Sequence, residues 1–340
     1  MVFDNNITCI DKKIHQSMLY QSVVGCTIYH EIKKIIVSLS GGVDSMVLLE
    51  ILYEISKHRP LEIIACHLNY KNRSESDEEE EFLKMYCGNK GITLVSRDMN
   101  IKRGDIKRSE YEKHTRKLRY EFYLELCRAN NTSGVMLGHH KDDIVENVFN
   151  NIMRGGREIS DLRVLCEKNI ILDVTIYRPF INHQKKDVYD IAYAYNIPYF
   201  KDTTPDWSCR GKMRRNIFPA LSDCYTEKFN NSLLQISDEG EMLGNIIDKY
   251  IINDISENIC VFDNGFSIPN EKALHEVYIL KKLLRNIFHK LNIECMKLKN
   301  ICILSELLKE NCMGKVKSIL INKYSIFIND DEVVFKTVHD

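Results

Sequence analysis

The chain has 340 residues, 44% of them hydrophobic and 28% charged, with a formal net charge of −1. That length suggests two domains, or one large domain with an appendage, and the apolar content is enough for a buried core. The near-zero balance argues against a globally basic nucleic-acid binder, so any RNA site must be a local basic patch, and no apolar run approaches a membrane span.

The first six residues carry no basic region followed by an apolar stretch, so no secretory signal is visible. The chain has 12 cysteines and no Cys-x-x-Cys pair, the spacing that zinc ribbons and iron–sulfur sites usually use. Many lie in apolar runs, where a free thiol packs as a small core residue. A reduced, cytoplasmic protein is expected.

In chain order, residues 33–39 form an apolar, β-like run. Ser40-Gly41-Gly42-Val43-Asp44-Ser45 follows, and residues 46–52 then read as a helix. Strand, glycine turn and helix is the arrangement of an anion site. Glycines let the backbone turn and approach a ligand, and the free N–H groups of the new helix favour negative charge. Ser40 and Ser45 can add hydroxyl hydrogen bonds. Asp44 is out of place beside phosphates unless a cation such as Mg²⁺ lies between them. No Gly-Lys-Ser/Thr ending follows, so this is not a Walker A loop.

Residues 61–70 predict a second strand. The acidic run 77–81 predicts a helix start, with Ser74 and Asp77 close to a capping box. Residues 92–95 predict a third strand, and Ser109 with Glu112 the cap of a further helix. Residues 134–140 predict a fourth strand, and residues 142–154 a helix ended by Gly155-Gly156. This alternation predicts an α/β fold: a doubly wound parallel sheet, with ligands beyond the strand C-terminal ends. That rule gathers residues 40–45, Asn69 and residues 139–143 around one crevice.

The pattern changes near residue 225, giving domains 1–225 and 226–340. Residues 274–291 and 301–308 have helical spacing. Residues 318–321 and 332–335 predict a β-hairpin around residues 329–331. The second domain is therefore expected to be mainly helical and to end in a hairpin.

A second chemical cluster is His139-His140-Lys141-Asp142-Asp143-Ile144-Val145-Glu146. Asp143 and Glu146 share a helix face at a spacing of three. Carboxylates there can bind Mg²⁺ or take a proton from an amine, although aspartates at a helix start are also common caps. A closed zinc site lacks its usual ligand set.

The loop at residues 40–45 resembles the PP-loop of the N-type ATP pyrophosphatases. His-His-x-Asp-Asp-x-x-Glu with Arg154-Gly155-Gly156 resembles the signature of bacterial tRNA(Ile)-lysidine synthetases. Three further segments are similar to elements of that family: Arg116-Lys117-Leu118-Arg119-Tyr120, Arg178-Pro179-Phe180 with residues 185–190, and Asp202 with the basic run 210–219. The resemblance covers roughly residues 30–225. The chain departs from it after the second strand, where His67-Leu68-Asn69-Tyr70-Lys71-Asn72-Arg73 stands in place of a His-x-x-His-like or His-Gly-Leu-Arg stretch. Gly211 also stands where asparagine is usual. Too little sequence remains for that family's second C-terminal domain.

The resemblance implies ATP and Mg²⁺ as cofactors, free lysine as a substrate and a CAU-anticodon tRNA(Ile) as a partner. ATP would adenylate the C2 oxygen of the wobble cytidine, and the lysine ε-amine would then displace AMP. The expected ATP site comprises Ser40, Gly41, Gly42, Val43, Asp44, Ser45, His67 and His139, with Asp44 also the candidate Mg²⁺ ligand. Asp44, Asp142, Asp143 and Glu146 are the candidate catalytic carboxylates. Arg116, Arg119, Arg154, Arg210, Arg214 and Arg215 are candidates for tRNA or phosphate contact. Lys281, Lys282, Arg285 and Lys290 are candidates for holding the tRNA stem, and Trp207 for stacking on a base. No membrane partner is expected, and a homodimer is a candidate assembly. The rival readings are a PP-loop thiolase, which usually needs paired cysteines, an amidotransferase-type synthetase, which needs an ammonia source, a non-catalytic RNA-binding relative, and a plain metal or nucleotide binder.

Overall fold

The computed structural model describes residues 14–71, 75–99, 108–155, 157–201, 208–271, 274, 276–311, 317–321 and 323–337. It divides into two compact units, Met1–Asp238 and Glu239–Asp340. Asn72, Arg73, Ser74, Gly156, Asp202 and Trp207 lie outside the described residues.

The first unit opens with α1 (Met18–Tyr29) and continues through β1 (Lys34–Ser38), α2 (Val43–Ser56), β2 (Glu62–Asn69), α3 (Ser76–Asn89), β3 (Thr93–Asp98) and α4 (Arg108–Asn130). β4 (Val135–Met136), α5 (Lys141–Arg154), β5 (Lys168–Ile171), β6 (Val174–Tyr177) and α6 (Lys185–Ala194) follow. Six strands run in the order β3-β2-β1-β4-β6-β5. All pairings are parallel except β5 with β6, which closes the sheet as an antiparallel edge. The order reverses around β1 and β4, which pair at Ile36 with Val135, and at that switch point the strand ends leave a crevice.

Side-chain alternation along β1 explains why both faces are covered. Ile35 and Val37 pack with Val23, Met46 and Leu48 on one face. Ile36 packs with Tyr120, Phe122 and Tyr123 of α4 on the other. Met46 and Leu48 are fully buried, so truncating either to alanine should cost ~2–5 kcal/mol.

Several boundaries differ from the sequence reading. Ser109 lies inside α4 rather than capping it. β4 is only two residues long, so His139 and His140 stand in the turn beyond it, and His140 is the N-cap of α5. The β5–β6 pair went unread because its solvent face breaks up any long apolar run.

The chain continues through α7 (Cys209–Lys212), a π-helical turn at Met213–Ile217, α8 (Phe218–Tyr225) and α9 (Lys228–Ile247), within which the unit boundary falls. In the second unit α10 (Asn253–Glu257), β7 (Cys260–Phe262), β8 (Gly265–Pro269), α11 (Val277–Lys290) and α12 (Leu298–Asn311) precede β9 (Lys317–Ile321), β10 (Tyr324–Ile328) and β11 (Glu332–Thr337). Five antiparallel strands run in the order β7-β8-β11-β10-β9. Leu280, Leu284 and Phe288 of α11 pack on Phe266, Ile326 and Phe335 of this sheet. The predicted hairpin is corrected accordingly. The turn at residues 329–331 does join two strands, but the partner of β11 is β10, and residues 318–321 form the next strand out. Lys282 is also corrected as a tRNA-stem candidate. It is buried and binds Gly244 O at 3.2 Å and Asp248 at 2.9 Å.

Candidate active site

The β1–α2 turn is held by its own side chains. Ser45 Oγ donates to Gly42 O at 2.9 Å, accepts from Ser40 N at 3.2 Å and lies 3.1 Å from Ser40 Oγ. Gly41 has a φ of +79°, a left-handed conformation that suits glycine. The Phe200 N–H donates to Gly41 O at 2.9 Å, which ties the chain beyond α6 to the loop. Gly138 permits a second close approach: a Cβ there would lie 2.8 Å from the Asp44 backbone oxygen. The loop is thus clamped on two sides.

A crevice of ≈ 340 Å³ opens beside it, lined by Ser40, Gly42, Val43, Asp44, His67, Asn69, Tyr70, Lys185, Tyr189, Phe200 and Arg214 among others. His67 Nδ1 donates to Leu39 O at 2.8 Å, which fixes the ring and leaves Nε2 as an acceptor. Asn69 donates to Glu80 at 2.9 Å and Asp77 at 3.0 Å, anchoring the end of β2 to α3.

Asp44, in the first turn of α2, is not isolated. Lys185 Nζ lies 2.6 and 2.5 Å from its two carboxylate oxygens. This ion pair was not read from the sequence, since 141 positions separate its partners. The carboxylate still faces the crevice and suits Mg²⁺, which takes one or two protein carboxylates and completes its shell with water and phosphate oxygens. Lys185 would then have to yield a carboxylate oxygen.

The residues of α5 fall into distinct environments. Asp143 and Glu146 are buried, whereas the Asp142 side chain is 51% exposed and accepts from Lys185 N at 3.4 Å. Arg210 bridges the buried pair, with Nε 2.6 Å from Glu146 and its guanidinium also on Asp143. Arg214 binds Glu146 through Nε and, at 3.2 Å, through a terminal nitrogen. His140 Nε2 lies 3.4 Å from Asp143 and 3.7 Å from Asp44, so it stands between the two acidic centres. Burial works to raise the Asp143 carboxyl, but His140, Arg210 and His139 outweigh it and hold the group at about 2.

His139 accepts from Arg178 Nε at 3.2 Å, which places its own proton on Nε2. Burial, with Arg178 and Arg210 adding to it against the pull of Asp143, lowers the imidazole to about 4. Arg178 is 1% exposed and also donates to Cys166 O at 2.9 Å and Asn169 at 2.6 Å. It braces the strand ends.

Of the other predicted arginines, Arg119 donates to the Tyr70 hydroxyl at 2.5 and 3.1 Å, behind the crevice wall. Arg116 stacks 4.9 Å above Tyr120 on the exposed side of α4, and Arg154 and Arg215 are exposed. None of these three lines the crevice. The sequence reading missed Tyr189, Tyr199, Phe200 and Lys201 as lining residues. Tyr189 lies in the family-like segment 185–190, where no role was assigned to it, and the other three follow α6 with no motif of their own. The signal available in the sequence was the family-like segment 185–190, which holds Lys185 and Tyr189.

A mostly parallel sheet carrying this loop at its switch point defines an ATP-binding protein of the PP-loop class. The PP-loop domain family matches residues 11–221, and the chain belongs to that family. Among curated proteins it is similar to the "tRNA(Ile)-lysidine synthase" of Chlamydia abortus, at 29% identity over 77% of this chain and 81% of the relative. It is also 26% identical to the protein of that name from Enterococcus faecalis, over 71% of this chain but only 52% of the relative. Among solved structures, the U34-tRNA thiolase of Methanococcus maripaludis superposes with a TM-score of 0.52 at 18% identity, covering 67% of this chain and 78% of the thiolase, a likeness of fold alone. Among the described residues, no helix is long and apolar enough to cross a membrane.

Proposed function

We propose that this chain joins free lysine to C2 of the wobble cytidine of a CAU-anticodon tRNA(Ile), consuming ATP and releasing AMP and pyrophosphate. One observation carries the reading: the glycine loop and the arginine-clamped pair Asp143–Glu146 stand on either side of His140 at a single switch point. The likeness to proteins named for lysidine synthesis supports it.

In the first step the cytidine O2 attacks the α-phosphorus of ATP and pyrophosphate leaves. The loop N–H groups, Ser40, Ser45 and Lys185 meet the charge that develops on the phosphates. Asp44 would hold Mg²⁺, which when bound would supply further neutralisation of that charge. In the second step the lysine ε-nitrogen bonds to C2, the C2–O bond breaks, and AMP leaves with that oxygen. The ammonium must first lose a proton. Asp143, held ionised at about 2, is suited to bind an ammonium rather than to accept its proton. The acceptor role is left to Glu146 or Asp142. Arg210 and Arg214 position the buried carboxylates, and Arg116, Arg154 and Arg215 offer exposed charge to RNA phosphates.

The test is incubation with a CAU-anticodon tRNA(Ile) transcript, ATP, Mg²⁺ and labelled lysine. Label should enter the RNA and be lost in Asp44→Ala and Asp143→Asn. Pyrophosphate release with other RNAs but no lysine transfer would replace this reading by another PP-loop modification. Neither signal with any RNA would leave a non-catalytic binder.

A further inference from the structure

Away from the crevice, the C-terminal end of α1 and the segment before β5 bring together three side chains that the proposed reaction does not use. Cys26 lies in the last turn of α1, His30 is its C-cap four residues on, and Glu167 immediately precedes β5. The Cys26 sulfur, a ring nitrogen of His30 and a Glu167 carboxylate oxygen lie within 4.8 Å of one another. Residues four apart share a helix face, so the thiol and the imidazole point the same way.

We infer that Cys26, His30 and Glu167 form a binding site for Zn²⁺. One sulfur, one nitrogen and one oxygen donor are the three types zinc takes at about 2.0–2.3 Å, and three protein ligands leave a fourth position for water. The thiolate selects a soft or borderline cation and excludes the Mg²⁺ expected at Asp44. On binding, the Cys26 sulfur donates an electron pair to the metal and its proton leaves to solvent. Cys26 is 2% exposed while Glu167 is exposed, so the ion enters from the carboxylate side and ends against the core. Lys168, over the Tyr177 ring at 5.8 Å, is the neighbouring cation that opposes the metal.

The site reaches the active centre through the backbone. Glu167 O accepts from Arg178 N at 2.7 Å, and the adjacent Cys166 O accepts from the same arginine's guanidinium, whose Nε binds His139. Metal at Glu167 therefore pins α1 to the strap that holds Arg178 in place. A second group, His15, Glu54 and His58, lies at comparable separation on another part of the unit. It has no thiol and its glutamate is already paired with Lys57, which makes it the internal control.

The experiment uses the full-length, chelator-treated protein titrated with Co²⁺ and then with competing Zn²⁺. Wild type should bind one equivalent of Co²⁺ with a thiolate-to-metal charge-transfer band in the near ultraviolet, which Zn²⁺ bleaches. Cys26→Ser should abolish the band. His30→Gln and Glu167→Gln, at less buried positions, should lower Zn²⁺ affinity by more than about tenfold, the loss seen even for outer-shell partners. His58→Gln should leave both unchanged. A band that survives in Cys26→Ser, or equal Zn²⁺ affinity in wild type, His30→Gln and Glu167→Gln, overturns the site. Should Cys26→Ser fail to fold by circular dichroism, the His30 and Glu167 variants decide alone.

Discussion

Gly41→Ala should cripple the nucleotide loop through two separable costs. With φ at +79°, an L-residue there pays ~1–2 kcal/mol for the left-handed backbone. The new Cβ would also stand 2.4 Å from Phe200 Cδ2 and 2.7 Å from Cε2, far inside contact distance. Phe200 is not free to retreat. Its N–H is bonded to Gly41 O at 2.9 Å, and its ring meets Phe82 edge-on at 5.3 Å. Overpacking of this kind costs another ~1–3 kcal/mol, for a total of roughly 2–5 kcal/mol. Phe200→Ala removes the steric part and leaves the backbone part. In a double-mutant cycle, Gly41→Ala/Phe200→Ala should therefore be ~1–3 kcal/mol more stable than the sum of the single changes. Urea unfolding of the transition that ATP shifts gives the stabilities, and titration calorimetry gives ATP affinity. Additivity within about 0.5 kcal/mol would refute the clash. Unchanged ATP affinity in Gly41→Ala would refute the loop's role as the cradle.

Four further outcomes are expected. Lys185→Met strips Asp44 of both its ammonium contacts and should slow RNA-dependent pyrophosphate release by about 100-fold, the scale of losing one charge-stabilising donor; an unchanged rate would remove Lys185 from the phosphate site. The Asp143 carboxyl, held at about 2, contributes stability that is complete above its unfolded value of 3.8 and is lost as pH falls toward 2. Arg210→Met should move that loss upward in pH, read as an earlier acid limb in the unfolding midpoint; an unmoved limb contradicts the pairing. Burial lowers His139 from 6.5 to about 4, so its contribution, at most roughly 3 kcal/mol, is complete above 6.5 and disappears as pH falls from 6.5 to 4. His139→Asn should flatten the stability profile in that window, and a profile parallel to wild type would show that His139 does not titrate there. Lys282→Met should cost ~1–2 kcal/mol by breaking the buried contacts to Gly244 O and Asp248, while tRNA affinity in filter binding stays within about twofold of wild type; a larger fall in affinity would return Lys282 to the RNA surface.

What the sequence made legible is what local chemistry determines. The residues of the 40–45 loop announce themselves because a strand, two glycines and a helix cap are adjacent in the chain. Asp143 and Glu146 announce themselves by helical spacing. The parallel sheet followed from alternation alone. By contrast, β5 and β6 have burial patterns without a sustained apolar run, and β10 lies between the two runs, 318–321 and 332–335, that the hairpin reading pairs with each other. Lys185 and Arg178 were legible only as members of a family-like segment, and their partners were not legible, for a different reason. A lysine at a helix start and an arginine after a strand look like ordinary surface charge until the fold carries them to Asp44 and His139. Lys282 shows the converse error: its helical phase places it among Leu283 and Leu284, on the buried face, and its charge misled.

The pairs that hide these residues in the sequence also define how the crevice is kept ready. Asp44 is neutralised by Lys185, and Asp143 and Glu146 by Arg210 and Arg214. Leaving the buried Asp143 and Glu146 unpaired would cost several kcal/mol each, so their stability depends on the cations that the fold itself supplies. Both incoming charges in the proposed reaction fit the exchange that follows. Phosphates offer Lys185 a better partner than Asp44, and the released Asp44 becomes available to a cation bridging the same phosphates. A lysine ammonium can share the Asp143–Glu146 pair, since Arg210 is 48% exposed and has room to turn toward solvent or an RNA phosphate. His140 stands 3.7 Å from Asp44 and 3.4 Å from Asp143, so the carboxylates of both halves of the site act on one imidazole.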